Sequence, residues 1–358
     1  MAESASGVLW FSVEQKKHSC LSAVPNHDKH RVENAIIMNR KAEDPMTRGF
    51  ITIATGKALY YQLAKNLLLS YKLFCDSPYP FAILCDRENE YTALFDDVVL
   101  FQPGEHPYFD KFRLLKESPY DETIFIDADC LAYADLNDLW DYFASSDDFS
   151  GCGTNYPIES EKGLFQDGQI GDYNGKVHWK PDICGGLYFI RKGAVCDAIY
   201  SDCQEIASHY SAFSWPDFCA PYADEPVLCL AMAANSCHAT EANPQNHGIP
   251  WEVTTLKCDL FTGTCCYATD WHPLVEQGRM IHWSMRYIKK PLYRFESEKL
   301  SLMVGKGLRP SKSGVSLDPV NTVLYRWKLR YYWLCLKDFS GRAFRKLVRI
   351  ITRTPPTD

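Results

Sequence analysis

The sequence predicts an α/β domain built on a mostly parallel sheet. Short β-branched and aromatic runs alternate with stretches of helical period, and residues such as Gly56 and Asp86 punctuate the runs. The 358 residues are 46% hydrophobic, enough to bury a sizeable core. An aromatic content of 14% speaks against a disordered chain.

The elements follow in order. Residues 1–48 mix Ser, Asn, His and Lys without a sustained period and read as an N-terminal extension. Phe50-Ile51-Thr52-Ile53-Ala54-Thr55 reads as a buried strand closed by Gly56. Tyr60, Leu63, Ala64, Leu67, Leu68 and Tyr71 then recur at helical spacing, so a helix packs back on the sheet. Phe81–Cys85 is a second strand, and Val98–Phe101 a third, followed by a short helix around Phe109–Glu117. Ile124–Ile126 is the fourth, with Asp127 and Asp129 at its end.

Beyond it, Gly151–Pro181 is rich in Gly, Asp and Asn and reads as loops over a site. Gly185–Ile190 resumes the sheet and Ala194–Tyr210 is helical. Asp224–Ala234 is a helix with Asp224 placed to cap it and Pro226 in its first turn. Met280–Trp283 is a last short strand. This organisation gives one α/β domain over residues 49–315 and a basic tail over 316–358.

Composition narrows the function classes. The 15 cysteines are odd in number and irregularly spaced, which fits neither a disulfide ladder nor zinc knuckles but does fit buried thiols in a reducing compartment. No N-terminal run reads as a signal peptide, and no segment approaches the roughly 18 uninterrupted apolar residues of a membrane span. A cytoplasmic location is expected for the folded body. Charge is uneven: the net balance is −7, yet Arg326, Lys328, Arg330, Lys337, Arg342, Arg345, Lys346, Arg349 and Arg353 crowd the tail, so the body is acidic.

The most informative stretch is Glu122–Leu131. Its two aspartates, spaced i, i+2, share a face if extended, and both carboxylates then reach one cation at the strand's end. Hard oxygen ligands suit Mg²⁺ or Mn²⁺, and such a metal usually completes its shell with substrate phosphates. The bland alternative is a solvated turn after a strand.

With these residues in place the chain resembles nucleotide-sugar glycosyltransferases of the GT-A fold, nearest the family-8, glycogenin and galactosyltransferase-like, group. The resemblance spans residues 50–292. Phe50–Gly56 resembles the opening strand, Phe109-Asp110-Lys111-Phe112 the Lys-containing helix, and Asp127-Ala128-Asp129 the metal motif, with Asp135–Trp140 as its trailing helix. Cys184-Gly185-Gly186-Leu187 is similar to the strand start of the sugar site, and Asp224-Glu225 to a later Asp-Gln pair. His282 followed by Lys289-Lys290-Pro291 is similar to the closing His and Lys-Pro motif. The chain departs from the pattern at Cys184 and Glu225, lacks the Gly after His282, and places its Lys-Pro two residues further on.

The resemblance implies a Rossmann-like mixed sheet with flanking helices and a retaining hexosyl transfer from a nucleotide diphosphate sugar, UDP-sugar first, to a glycan or lipid-linked acceptor. Asp127, Asp129 and His282 would hold Mn²⁺ or Mg²⁺, while the other nine histidines lie in no comparable context. Thr55, Tyr60, Lys111 and Ala128 would contact the donor. Lys111 and Lys290 would bring ammonium charge to the departing phosphates, and Asp224 would meet sugar hydroxyls or the anomeric carbon. A sugar-phosphate nucleotidyltransferase is the rival enzyme, although Ala54–Ala58 is brief for its phosphate loop. A GT-A scaffold that binds without turnover is the non-enzyme alternative.

In the tail, Phe344, Leu347, Val348 and Ile351 form one helical stripe with basic residues opposite, and Trp and Tyr interleave with Arg and Lys upstream. These are the features of a helix lying on an anionic membrane, here the inner face. The alternative is a helix docked on the acidic body. No nucleic-acid-binding signature accompanies the charge.

Overall fold

The computed structural model describes residues 46–216, 221–250, 253–269 and 274–353, with side chains described as far as residue 341. The N-terminal extension expected over residues 1–48 therefore lies almost wholly outside the described residues. Strand β1 (Arg48–Ala54) leads into helix α1 (Ala58–Phe74), then β2 (Phe81–Cys85) and β3 (Asp97–Leu100). A 3₁₀ turn over Pro107–Arg113 and the single-turn α2 (Leu114–Glu117) precede β4 (Glu122–Ile126), β5 (Cys130–Ala132) and α3 (Asp138–Tyr142). Next come β6 (Phe149–Pro157), β7 (Trp179–Arg191), α4 (Ala194–Ser208), α5 (Asp224–Ala234) and β8 (Thr240–Glu241). The hairpin β9 (Val253–Asp259) and β10 (Thr264–Thr269), β11 (Met280–His282), α6 (Pro291–Gly305) and α7 (Leu329–Arg353) complete the chain.

The main sheet has the order β3-β2-β1-β4-β7-β6-β8. Strands β3, β2, β1 and β4 are parallel, whereas β7 runs antiparallel to both β4 and β6. The sheet is thus mixed, with a smaller parallel share than strand–helix alternation alone implies. Both faces are covered, which explains the unbroken apolar runs of the central strands. Phe50, Ile124 and Ile126 face α1 in one core cluster, while Ile51 and Phe125 face α4 and α5 in the other.

The span read as loops takes in all but the first two residues of β6, a nine-residue strand. Its glycines hid it. A Cβ at Gly151 would lie 2.8 Å from Ile183 Cβ, and one at Gly153 only 2.0 Å from the Asp182 carbonyl oxygen. Close approach to β7 therefore excludes the β-formers that would have marked a strand. The pair shifts register between those two glycines, which bends the sheet edge. The cap of α5 also differs: Ala223 is the N-cap, and Asp224 is the first helical residue, which frees its carboxylate for other contacts.

Two features outside the main sheet place the site. Strand β5 pairs antiparallel with β11, setting His282 opposite Cys130. The hairpin is held to α6 by a buried network in which Lys299 Nζ meets Glu296 and Asp259 at 2.7 and 2.8 Å, while Glu296 accepts the Leu260 N–H at 2.8 Å.

The start of the tail docks on the body. Leu334 is fully buried, Tyr331 packs on Phe295 with ring centroids 5.6 Å apart, and Arg330 forms a bidentate pair with Glu298. The Phe344–Ile351 stripe has no described side chains. Among the described residues no helix is long and apolar enough to cross a membrane, and the thirteen cysteines there are free thiols.

Candidate functional site

Strand β4 ends at Ile126, and the chain turns at once: the Cys130 N–H donates to the Asp127 carbonyl at 3.1 Å. Asp127 and Asp129 thus sit in a turn between β4 and β5 and not along an extended strand. The turn, not the pleat, brings both side chains to one side. The Asp127 N–H donates to the Gly186 carbonyl and the Trp283 N–H to the Asp129 carbonyl, each at 3.0 Å, so the turn is fixed to β7 and to the residue after β11.

Carboxylate oxygens of both aspartates and a ring nitrogen of His282 lie within 4.8 Å of one another. His282 Nε2 is 2.9 Å from Asp129 Oδ1 and 3.8 Å from Asp127 Oδ2. At 2.9 Å the two form an ion pair when the ring is protonated, and buried Asp129 Oδ1 otherwise accepts no hydrogen bond among the described residues. Two carboxylates and an imidazole converging on one point, one oxygen with no other donor, are a donor set that fits Mn²⁺ or Mg²⁺.

The charges are strongly coupled. Burial works against the charged form of Asp127, yet Lys111 and His282 outweigh it and hold the carboxyl below its ordinary range. Burial likewise opposes the His282 imidazolium, but the Asp129 and Asp127 carboxylates push its pKa well up. Lys111 Nζ lies 3.0 Å from Asp127 Oδ2, 3.1 Å from Asp224 Oδ2 and 3.0 Å from the Gly185 carbonyl. One ammonium joins the strand-end turn, the N-terminus of α5 and strand β7.

These groups stand in a cleft of about 460 Å³ whose lining includes Thr55, Tyr60, Lys111, Asp127, Ala128 and Asp129. Each donor residue expected from the sequence is therefore in one place. Asp86 joins them unforeseen, accepting the Gly56 N–H and the Tyr61 hydroxyl. Lys290 does not join: it is the exposed N-cap residue of α6 and is not part of the cleft lining.

A second cavity, of about 720 Å³, opens where β6, β7 and β8 meet the start of α5, and Glu225 and His247 line it. Glu225 Oε1 accepts the Gly185 N–H at 2.6 Å, and burial followed by the neighbouring Asp224 charge raises its pKa to about 7. His247 is a second histidine beside His282, with ring centroids 5.1 Å apart, contrary to the expectation that no other histidine shares its setting. Burial, then the His282 charge, lowers the His247 pKa to about 3, so this ring is neutral. No local motif marks it. His247 is placed by the Gly248–Ile281 bridge, a contact between segments more than thirty residues apart.

The glycines between the two cavities are required by space. A Cβ at Gly186 would sit 2.5 Å from His282 Nδ1 and 3.0 Å from His247 Nε2, and one at Gly185 2.7 Å from Glu225 Oε1.

No protein-family model matches the sequence, and no curated protein is similar to it in sequence. Among solved structures, the galactosyltransferase LgtC, in complex with donor and acceptor sugar analogues, is similar at 14% identity with a TM-score of 0.46, over 76% of this chain and 98% of that one. The bifunctional glycosyltransferase WbbM matches at 11% identity and a TM-score of 0.39, over 58% of this chain and 40% of that one. The glycosyltransferase GlyE of Streptococcus pneumoniae TIGR4 matches at 12% identity and a TM-score of 0.36, over 56% and 46%.

Proposed function

We propose that the protein is a divalent-metal-dependent glycosyltransferase that moves a hexose from a nucleotide diphosphate sugar to an acceptor hydroxyl. The observation that carries this reading is the convergence of Asp127, Asp129 and His282 at one side of the Thr55–Tyr60–Lys111 cleft. The resemblance noted in the sequence supports a UDP-sugar donor and a retaining outcome.

Within this reading a bound Mn²⁺ or Mg²⁺ would be held by Asp127, Asp129 and His282 and would neutralise charge developing on the nucleotide diphosphate leaving group. Thr55 and Tyr60 position the nucleoside end of the donor, and Ala128, with its small side chain, leaves room beside the aspartates. Lys111 supplies a cation that never needs to lose its proton, since its ion pairs keep its pKa well above the ordinary value despite burial. Asp224, paired with that lysine at 3.1 Å, would meet the sugar hydroxyls or the anomeric carbon of the donor.

A peripheral membrane position is part of the proposal. Trp327, Leu329, Tyr332, Trp333, Leu336 and Phe339 are exposed along the tail, interleaved with Arg326, Lys328 and Lys337. Apolar anchors among cations suit an anionic lipid surface, where a lipid-linked or envelope glycan acceptor would be met.

Donor hydrolysis by the full-length protein, measured across UDP- and GDP-sugars with Mn²⁺ and with EDTA, tests the reading. Metal-dependent release of nucleotide from one donor is the expected result. Release that is indifferent to EDTA, or absent for every donor, rejects it.

A further inference from the structure

A groove of about 480 Å³ runs between α1 and the start of α6. It adjoins the donor cleft: Leu63 lines both, and the segment that gives Met285 to the cleft gives Ile288 and Lys289 to the groove. Its lining is of two kinds. Leu59, Leu63, Ile288 and Tyr293 are apolar, with Leu59 reaching solvent, whereas Lys289 and Arg294 are cations. Neither cation has an ion-pair partner among the described residues. Glu298 is the one acid on the lining, and Arg330 of α7 already holds it through bonds of 2.7 and 2.8 Å. Two uncompensated positive charges thus stand beside an apolar wall, in a chain whose net charge is −7. That combination suits an anion with hydrocarbon attached to it.

The groove is also continuous with the tail. The Arg330 guanidinium that pairs with Glu298 lies 4.4 Å from the centre of the Trp333 ring, and Trp333 is exposed. Along the α6 wall Glu298 and Arg294 are one helical turn apart, and Lys289 precedes the helix on the side of the cleft. The two cations therefore lie between the root of the tail and the donor cleft. A lipid held under the exposed aromatic side chains of the tail has its headgroup beside them.

We propose that this groove seats the phosphate of a lipid-linked acceptor, with Arg294 and Lys289 on the phosphate oxygens and Leu59 against the hydrocarbon. The planar donors of arginine match phosphate oxygens, and lysine adds a point charge. Calling the lipid an acceptor rests on the glycosyl-transfer reading, but the lipid-phosphate seat stands on the groove and the tail alone.

The test is calorimetric binding of soluble short-chain lipids to the full-length protein, without donor. Dihexanoyl phosphatidate, dihexanoyl phosphatidylcholine and inorganic phosphate separate the charge from the hydrocarbon. Phosphatidate is expected to bind about fivefold more tightly than either, the discrimination that two partly exposed cations support. Lys289→Gln with Arg294→Gln should erase the gap between the two lipids, and Leu59→Ser should narrow the gap to inorganic phosphate. Equal affinity for the two lipids, or no binding of either, overturns the proposal, as does a phosphatidate preference that survives the double variant. Inorganic phosphate that binds as tightly as phosphatidate makes the groove a free-anion site, and octaglutamate that displaces phosphatidate at equal concentration makes it a seat for an acidic protein. Either result rejects the lipid. Donor hydrolysis, measured separately, distinguishes the two readings. Hydrolysis without a phosphatidate preference rejects the groove alone, whereas the preference without hydrolysis upholds the lipid-phosphate seat and rejects glycosyl transfer.

Discussion

Lys111 Nζ lies 3.0 Å from Asp127 Oδ2, so the carboxylate best placed to hold a cation is already paired with one. The same ammonium lies 3.1 Å from Asp224, and it leaves the strand-end turn and the start of α5 sharing one positive charge. A divalent ion at Asp127 and a lysine at Asp127 repel one another, and a phosphate between them relieves that repulsion. The lysine is therefore expected to favour donor plus metal over metal alone.

Lys111→Met accordingly separates two quantities. Turnover of the donor should fall by about 10²–10³, the usual loss when a charge aimed at the leaving group is removed. Mn²⁺ affinity in the absence of donor should hold or rise, because the competing cation is gone. Electron paramagnetic resonance of free Mn²⁺ reads the second quantity directly. A variant that loses Mn²⁺ binding in parallel with turnover would return Lys111 to a structural strut.

For the ligands themselves, Asp127→Asn and Asp129→Asn are each expected to abolish transfer with the fold intact. His282→Ala should raise the Mn²⁺ concentration needed for half-maximal activity more than it raises the acceptor KM. Circular dichroism checks the fold, and the same resonance titration checks the metal. Equal activity of parent and His282→Ala at low Mn²⁺ would remove the histidine from the ligand set.

Gly186 offers a test of packing at the site. An added methyl would press on His282 Nδ1 from 2.5 Å and on His247 Nε2 from 3.0 Å, and both rings are buried. Gly186→Ala should cost about 1–3 kcal/mol of stability through overpacking and weaken Mn²⁺ binding by turning the His282 ring. Urea unfolding with and without Mn²⁺ separates the two effects: the variant should lose most of the metal-dependent gain in stability.

How far the sequence carries is visible residue by residue. The central strands were readable because they are buried on both faces and so are mostly apolar, and Asp127 and Asp129 stood out because they directly follow one of them. Strand β6 was not readable, since the glycines that let it approach β7 erased its pattern. His247 was hidden for a different reason: its position comes from pairing across distant segments, which local spacing does not encode. Lys290 was drawn into the site by a Lys-Pro motif, but in the structure that proline starts α6 and the lysine caps it in solvent.

The tail gives a prediction that truncation would blur. Removing residues from about 320 onward would also strip Leu334 and Tyr331 from α6 and break the Arg330–Glu298 pair. Point changes on the exposed side avoid this. Leu336→Ser with Phe339→Ser should reduce flotation on anionic vesicles several-fold while leaving thermal stability nearly unchanged, because both side chains are largely exposed. Raised salt should weaken binding of the parent, since each basic residue near such a surface contributes only about 1 kcal/mol before screening. A parent protein that ignores anionic vesicles at low salt removes the membrane position.

The buried Lys299–Glu296 pair makes the final prediction, on stability and pH. Burial raises the Glu296 pKa to about 7 even against the nearby ammonium, so its folded value lies above its unfolded value. A raised acid contributes stability that is full below about pH 4.5 and is lost as pH climbs through about 7. Lys299 limits that loss by offering the ionised carboxylate a partner at 2.7 Å. Lys299→Met removes the partner and leaves a carboxylate with no exposed surface, a change that costs about 3–5 kcal/mol when the acid is ionised. With the ammonium gone the Glu296 pKa rises further, so the deficit relative to the parent should be larger at pH 8 than at pH 5. Denaturant melts of parent and variant at the two pH values measure this, and Glu296→Gln added to Lys299→Met should restore much of the stability at pH 8. A deficit of the same size at both pH values would show that Lys299 acts through its pair with Asp259 or its packing on Phe295 and Phe261, over whose rings its ammonium also sits, and not through the charge of Glu296.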